Sequence, residues 1–202
     1  MPPRSELRSC LRAQRRALAP ALRAELNAQI TQHLTQSSVF RTSARIAMYW
    51  AGRGEANIEA AAQRAWTLHK RVFLPVLLGP FHNHLRFAPF NRHSVLQNNC
   101  FDIPEPRVLR AQLLPGISMD LVLVPLVGFD DQGVRLGMGG GYYDRSFAAR
   151  LFRRYWCKPL LIGVAYELQQ VPRLVRQPWD VALDGVVTEK KLYLFNQKGV
   201  GL

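Results

Sequence analysis

The chain has 202 residues, enough for one α/β domain with a substantial core, and the composition of an ordinary soluble globular protein. Twenty-seven basic residues against 14 acidic ones leave a formal charge of +13, which favours anionic partners such as nucleic acid, nucleotide phosphates or acidic tails. No apolar run approaches the roughly 20 residues of a membrane span, and no secretory h-region opens the chain. Cys10, Cys100 and Cys157 are too scattered for a disulfide framework or a zinc site, so a reduced, cytoplasmic setting is expected.

Residues 2–17 pattern as a helix. Leu7, Leu11 and Leu18 fall on one face, and Arg4, Arg8, Arg12 and Arg16 recur every four residues as a stripe. The stripe reads as a solvated basic face or as an anion contact, and the acid-poor start also fits a transit peptide. Pro20 opens a second amphipathic helix with Leu22, Leu26, Ile30 and Leu34 inward and His33 at the surface. Residues 45–50 form the first expected strand. The loop 51–55 lies at its C-terminal end, where open α/β sheets bind ligands. Glu55 is there either a substrate carboxylate or an exposed loop acid. Trp50 is either a pocket wall or a core aromatic.

Residues 58–70 pattern as a helix with Ile58, Ala62, Ala65, Trp66 and His69 on one side, and residues 71–77 as a second strand. Residues 85–90 alternate weakly, and Pro89 places them at a sheet edge. His82, His84 and His93 lack the cysteines or acids that would complete a metal site. Ile103, Pro104, Glu105 and Pro106 make a stiff extended segment.

The most informative stretch is 121–145, LVLVPLVGFDDQGVRLGMGGGYYDR. Its apolar opening reads as a buried strand, and Asp130-Asp131-Gln132-Gly133 as a turn. Gly137, Gly139, Gly140 and Gly141 follow, then a helix expected over 142–152. Strand, glycine loop and helix suit a phosphate cradle, because residues without Cβ let backbone N–H groups approach an anion. The run is neither GxxxxGK[ST] nor GxGxxG. Its company is Arg135 before it and Tyr142, Tyr143, Asp144 and Arg145 after it. Residues 160–166 are another buried strand and 185–188 the last one, with Asp184 a turn acid before it.

RLGMGGGYYDR, preceded by VPLVGFDDQG, resembles the signature of the 5-formyltetrahydrofolate cyclo-ligase family, also called 5,10-methenyltetrahydrofolate synthetases. The resemblance extends to Arg8, Glu55, the Ile-Pro-Glu-Pro wording at 103–106, Gln169 and the closing PWDVALDGVVTE. It implies one three-layer α/β/α domain over residues 1–202, of phosphosugar-isomerase/CoA-transferase-like architecture. The central sheet would be mostly parallel, with the basic helices of residues 4–36 packed on the core.

It also implies cyclisation of 5-formyltetrahydrofolate, with or without a polyglutamate tail, to 5,10-methenyltetrahydrofolate at the expense of ATP, with Mg²⁺. ATP would meet Arg4, Arg8, Arg135, Gly137, Gly139, Gly140, Gly141, Tyr142 and Tyr143. The folate would meet Trp50, Glu55, Met138 and Tyr142. Tyr142 and Arg135 would serve the chemistry, and Asp144 and Asp180 would hold the metal. Arg4 replaces the family's lysine, Asn57 and Ile58 replace an acid and a threonine, and Asp102 replaces a glycine. Met138 and Gly140 stand where some relatives are basic. A monomer is expected, with no membrane or nucleic-acid partner. The competing readings are a nucleic-acid binder using the arginine stripe, and a phosphosugar isomerase or CoA-transferase relative without need of ATP.

Overall fold

The structure, a computed structural model, describes residues 3–52, 54–79, 83–152 and 158–195; His82 and Cys157 lie outside them. The first half of the chain carries α1 (Arg4–Arg16), α2 (Pro20–Gln36), α3 (Ser38–Thr42), β1 (Arg45–Ala47), α4 (Glu59–Thr67) and β2 (Arg71–Leu77). After them come β3 (Leu85–Phe90), β4 (Leu96–Asn98), β5 (Pro104–Pro106) and β6 (Leu114–Pro115). The second half carries β7 (Leu121–Pro125), β8 (Gly128–Phe129), β9 (Arg135–Leu136), α5 (Tyr142–Phe147), β10 (Leu160–Val164), β11 (Gly185–Val187) and β12 (Leu192–Leu194).

The apolar runs gather into one eight-stranded sheet in the order β12-β11-β10-β7-β1-β2-β3-β6. The five strands from β11 to β2 are parallel, and antiparallel pairings add β12 at one edge and β3 and β6 at the other. Successive side chains point to opposite faces. Leu121 and Leu123 of β7 therefore pack with Ile30, Phe40, Ala61 and Ala65 of α2 to α4, while Val122 and Val124 pack with Phe73, Phe87 and Phe147 of α5. Helices cover both faces. From the adjacent strands β1 and β7 the chain crosses in opposite directions, through α4 to β2 and through α5 to β10. That is a topological switch point, and the loops beyond the C-terminal ends of both strands open there.

Several boundaries differ from the sequence pattern for local reasons. The strand expected over 45–50 has its ladder over 45–47, extended by one bond from Met48 N–H to the Phe73 carbonyl at 2.9 Å. Leu22 of α2 is exposed rather than inward. The helix expected over 58–70 is Glu59–Thr67: Asn57 Oδ1 accepts the Glu59 N–H at 2.8 Å, and His69 at φ 54° ends it, with Lys70 N–H on the Ala65 carbonyl. Glu105, buried in the β4–β5 hairpin, accepts the Leu77 N–H at 3.0 Å and Asn99 Nδ2 at 2.6 Å. Burial pushes its carboxyl up, against those two hydrogen bonds. Asp102 has φ 60°, the region where glycine is unstrained, and Asn98 Nδ2 bonds its carboxylate at 2.6 Å.

Candidate active site

The glycine loop follows the β8–β9 hairpin. Asp130 builds that hairpin by accepting the Val134 N–H at 2.9 Å and the Leu174 N–H at 2.9 Å, with Gly133 at φ 78°. In the loop itself Gly139 has φ 104° and Gly141 φ 64°, backbone that side chains strain to adopt. A Cβ added at Gly137 or Gly139 would meet no atom within 4 Å, so that side of the loop is bare backbone facing open space. The opposite side is braced. Arg145 donates to the Gly140 carbonyl at 2.7 Å and the Asn83 carbonyl at 2.9 Å, and its guanidinium lies 5.2 Å from the Tyr142 ring centre. The helix expected over 142–152 is α-helical only over Tyr142–Phe147 and continues as a 3-10 turn. The dipole at its N-terminus is correspondingly small.

Two aspartates flank the loop. Asp144 Oδ1 takes Arg135 at 2.5 Å and the Val181 N–H at 3.0 Å, and Arg135 also donates to the Val181 carbonyl. Asp180, the residue before Val181, takes Arg4 at 2.8 Å and the Gln177 N–H at 2.9 Å, both on Oδ2. One peptide unit thus ties together two carboxylates that are distant in the chain. Asp144 Oδ2 and Asp180 Oδ1 accept no hydrogen bond from a described residue. Arg135 is 7% exposed and spends its terminal nitrogens inside the protein, so it braces Asp144 rather than facing the loop.

Helix α1 lies across this arrangement. Leu11 packs on Val127, Val134, Leu136 and Leu174, which turns the arginine stripe toward the loop. Arg8 Nε donates to the Gly137 carbonyl at 2.8 Å, and Arg4 reaches the Val175 carbonyl at 3.1 Å as well as Asp180. The first two positions of the stripe are not a solvated face.

A model of the 5-formyltetrahydrofolate cyclo-ligase family matches residues 1–189. The chain is 38% identical over 144 residues to the 5-formyltetrahydrofolate cyclo-ligase of Haemophilus influenzae, covering 71% of this chain and 74% of that one. It is 35% identical over 148 residues to the Escherichia coli K12 enzyme of the same name, covering 73% and 79%. Among solved structures, the 5,10-methenyltetrahydrofolate synthetase of Aquifex aeolicus superposes with a TM-score of 0.82 at 30% identity, covering 98% of this chain and 95% of that one. The chain belongs to the 5-formyltetrahydrofolate cyclo-ligase family. Its members are ATP-dependent ligases of one-carbon folate metabolism.

Within the cyclo-ligase framework, the loop after β1 comes close enough to α5, the helix after the glycine loop, for Glu55 to act on Tyr143. Glu55 Oε2 accepts the Gly52 N–H at 3.1 Å, which folds the loop into a closed turn. Burial pushes the Tyr143 hydroxyl well above the usual phenol range; the Glu55 charge adds to this and the Arg135 charge opposes it. Tyr143 therefore feels both loops, and stays neutral. Trp50 is 40% exposed, edge-on to Phe90 at 6.3 Å, so it is not a core aromatic. Met138 is similarly open to solvent, and Tyr142 meets Phe101 of the β4–β5 hairpin edge-on at 6.4 Å.

Arg15, which lies outside the four-residue arginine stripe, is 1% exposed. It donates to the Leu126 carbonyl at 3.2 Å, and burial lowers its pKa against the pull of the nearby Glu55 charge. The available signal was its spacing of four residues from Leu11, on the apolar side of the helix. Gln169 is structural, binding the Leu126 and Val127 carbonyls and accepting the Tyr166 N–H. Asn57, a departure from the family pattern, donates its N–H to Asn27 Oδ1, which also takes the Tyr166 hydroxyl. Among the described residues no group of three or more His, Cys, Asp or Glu could hold a metal ion. Two aspartates, each with an oxygen to spare, nevertheless fit Mg²⁺, which takes few carboxylates and completes its shell with phosphate and water oxygens. No described helix is long and apolar enough to cross a membrane.

Proposed function

We propose that this chain is an ATP- and Mg²⁺-dependent 5-formyltetrahydrofolate cyclo-ligase, acting as a monomer in the cytoplasm, with residues 1–202 as one domain. The observation that carries the reading is the bare backbone at Gly137 and Gly139, with Arg8 fastened to the Gly137 carbonyl and, just past the loop, Asp144 bonded to the N–H of the residue that follows Asp180. The formamide oxygen of the substrate is a poor leaving group. It attacks the γ-phosphorus of ATP, and ADP departs. N10 then adds to the activated formyl carbon, the carbon–oxygen bond breaks, and phosphate leaves with the oxygen. The N10 proton passes to phosphate or solvent.

The protein positions the reactants and neutralises charge. The amides of Gly137, Gly139, Gly140 and Gly141 take the phosphates, with Arg4 and Arg8 fastening the loop and the Asp180 turn beneath them. Asp144 and Asp180, each with an oxygen that no described residue occupies, would hold Mg²⁺, which would offset the charge of the phosphate oxygens. Arg135 keeps Asp144 in position. Tyr142 polarises the formyl oxygen, and neutral Tyr143 packs on the nucleotide side. Glu55 hydrogen-bonds the pterin, with Trp50 and Met138 lining its pocket. The basic surface accommodates a polyglutamate tail.

The test is a mixture of the purified protein, 5-formyltetrahydrofolate, ATP and Mg²⁺, followed by the near-ultraviolet absorbance of the methenyl product. Product that requires both ATP and Mg²⁺ is expected. Product without ATP, or none from folded protein, refutes the reading.

A further inference from the structure

Helix α1 carries Arg4, Arg8, Arg12 and Arg15 along one side, and three of them are engaged inside the protein. Arg4 binds Asp180 and the Val175 carbonyl, Arg8 the Gly137 carbonyl, and Arg15 the Leu126 carbonyl. At about 100° per residue, Arg12 falls on the same side of the helix, between Arg8 and Arg15. It is half-buried and makes no hydrogen bond or ion pair with a described residue, and its Nε is buried without an acceptor. A partly dehydrated guanidinium without an acceptor is costly unless a ligand supplies one. Arg12 also crowds Arg15, whose pKa it helps burial to lower.

We propose that Arg12 binds the terminal phosphate of the nucleotide; the inference rests on the nucleotide reading of the site given above. The first reason is position. Arg8 marks the glycine loop, and Arg15 marks the loop of Glu55, since a Cβ added at Gly54 would lie 3.9 Å from Arg15 Nε. Arg12 stands about one helical turn from each, roughly 5 Å along the axis. A phosphoryl group passing from the glycine loop to a substrate held by Glu55 crosses that interval.

The second reason is charge. The loop carries Met138 and Gly140 and no cation of its own. Arg135 is committed to Asp144 and Val181, and Arg145 to the Asn83 and Gly140 carbonyls. Among the described arginines of α1 that lie on this side, Arg12 is the one that makes no hydrogen bond or ion pair, and its planar fork suits phosphate oxygens. It acts by charge alone. The bond from the γ-phosphorus to the bridging oxygen breaks, with its electron pair leaving on ADP, as the bond to the acceptor oxygen forms. Arg12 keeps its protons throughout.

The experiment compares wild type with Arg12→Met and Arg12→Lys by thermal melting, by calorimetric titration with ATP and with ADP, and by turnover. Arg12→Met is expected to melt at the wild-type temperature or above it, because it removes a buried donor without an acceptor. Its ATP affinity should fall about 10- to 100-fold, the span of a charge-assisted hydrogen bond, with ADP affinity within about twofold. Arg12→Lys should recover part of the ATP affinity. A structural role for Arg12 would instead lower the melting temperature and leave the ratio of ATP to ADP affinity unchanged. That result, or equal loss for both nucleotides, overturns the proposal while an active wild type keeps the cyclo-ligase reading. A wild type that binds neither nucleotide removes both.

Discussion

Two arginine–aspartate pairs, one made by α5 and one by the 3-10 turn that follows it, have the same chemistry and different uses. Asp184 is saturated: Arg150 grips both its oxygens, at 2.7 and 2.8 Å, and the Leu161 N–H takes a further place at 2.7 Å. Asp144 has both its bonds, from Arg135 and the Val181 N–H, on one oxygen. A carboxylate with both oxygens filled locks β10 to the turn before β11. One with an oxygen left over is held in place and still able to bind. The glycines divide in the same way. A Cβ at Gly163 would press on Leu126, Leu183 and Val186 at 2.6–3.0 Å, whereas one at Gly137 would touch nothing within 4 Å. Gly163 is there for packing, and Gly137 leaves its backbone bare.

The aspartates give the sharpest way to break this comparison. Asp144→Asn should lower Mg²⁺-dependent turnover by about 100-fold or more while folate binding and the melting temperature stay close to wild type. Asp184→Asn should do the reverse, with about 3 kcal/mol lost in urea unfolding and near-normal turnover per folded molecule. Loss of turnover in both, or in neither, would erase the distinction. The glycines offer a smaller contrast. Gly137→Ala should melt no lower than wild type yet bind ATP about tenfold more weakly, whereas Gly163→Ala should cost about 1–3 kcal/mol of stability and spare nucleotide affinity.

A third carboxylate, Glu167, tests saturation through pH. Burial alone would raise its pKa, but hydrogen bonds from Tyr193 and Thr188 and the nearby Lys190 outweigh it, so the pKa is lowered. Its contribution to stability is present above the ordinary carboxylate range and lost as pH falls through it. Burial, with the bond to Glu167 at 2.6 Å, pushes the Tyr193 hydroxyl up to about 12 from an ordinary value of 10.0. The stability held by neutral Tyr193 is therefore complete below about pH 10 and lost as pH rises toward 12. Tyr193→Phe should cost about 1–2 kcal/mol at pH 7 and flatten that alkaline fall in denaturation curves. An unchanged alkaline limb would mean that Tyr193 does not hold Glu167.

Much of the sheet was legible along the chain. Long apolar strands such as β2 and β7 announce themselves because burial on both faces demands continuous apolar residues. The three-residue strands β4 and β12 and the five-residue α3 are too short to show a period. The glycine stretch was legible for a different reason. Positive φ at Gly139 and Gly141, like the turn at Asp130–Gly133, is a local demand that residue type answers directly.

The amino-acid sequence by itself determined the family, the central motif and the inventory of charged groups available to the site. Tertiary structure alone decided how they are used. It joined Asp144 to Asp180 through Val181, withdrew Arg135 into a brace, buried Arg15 beside Glu55 and left Arg12 without an acceptor. Each of these depends on which distant backbone carbonyl or carboxylate lies within hydrogen-bond reach. Reach is set by how α1, the β8–β9 hairpin and the segment 173–181 pack together, and residue type and spacing along the chain carry no record of it.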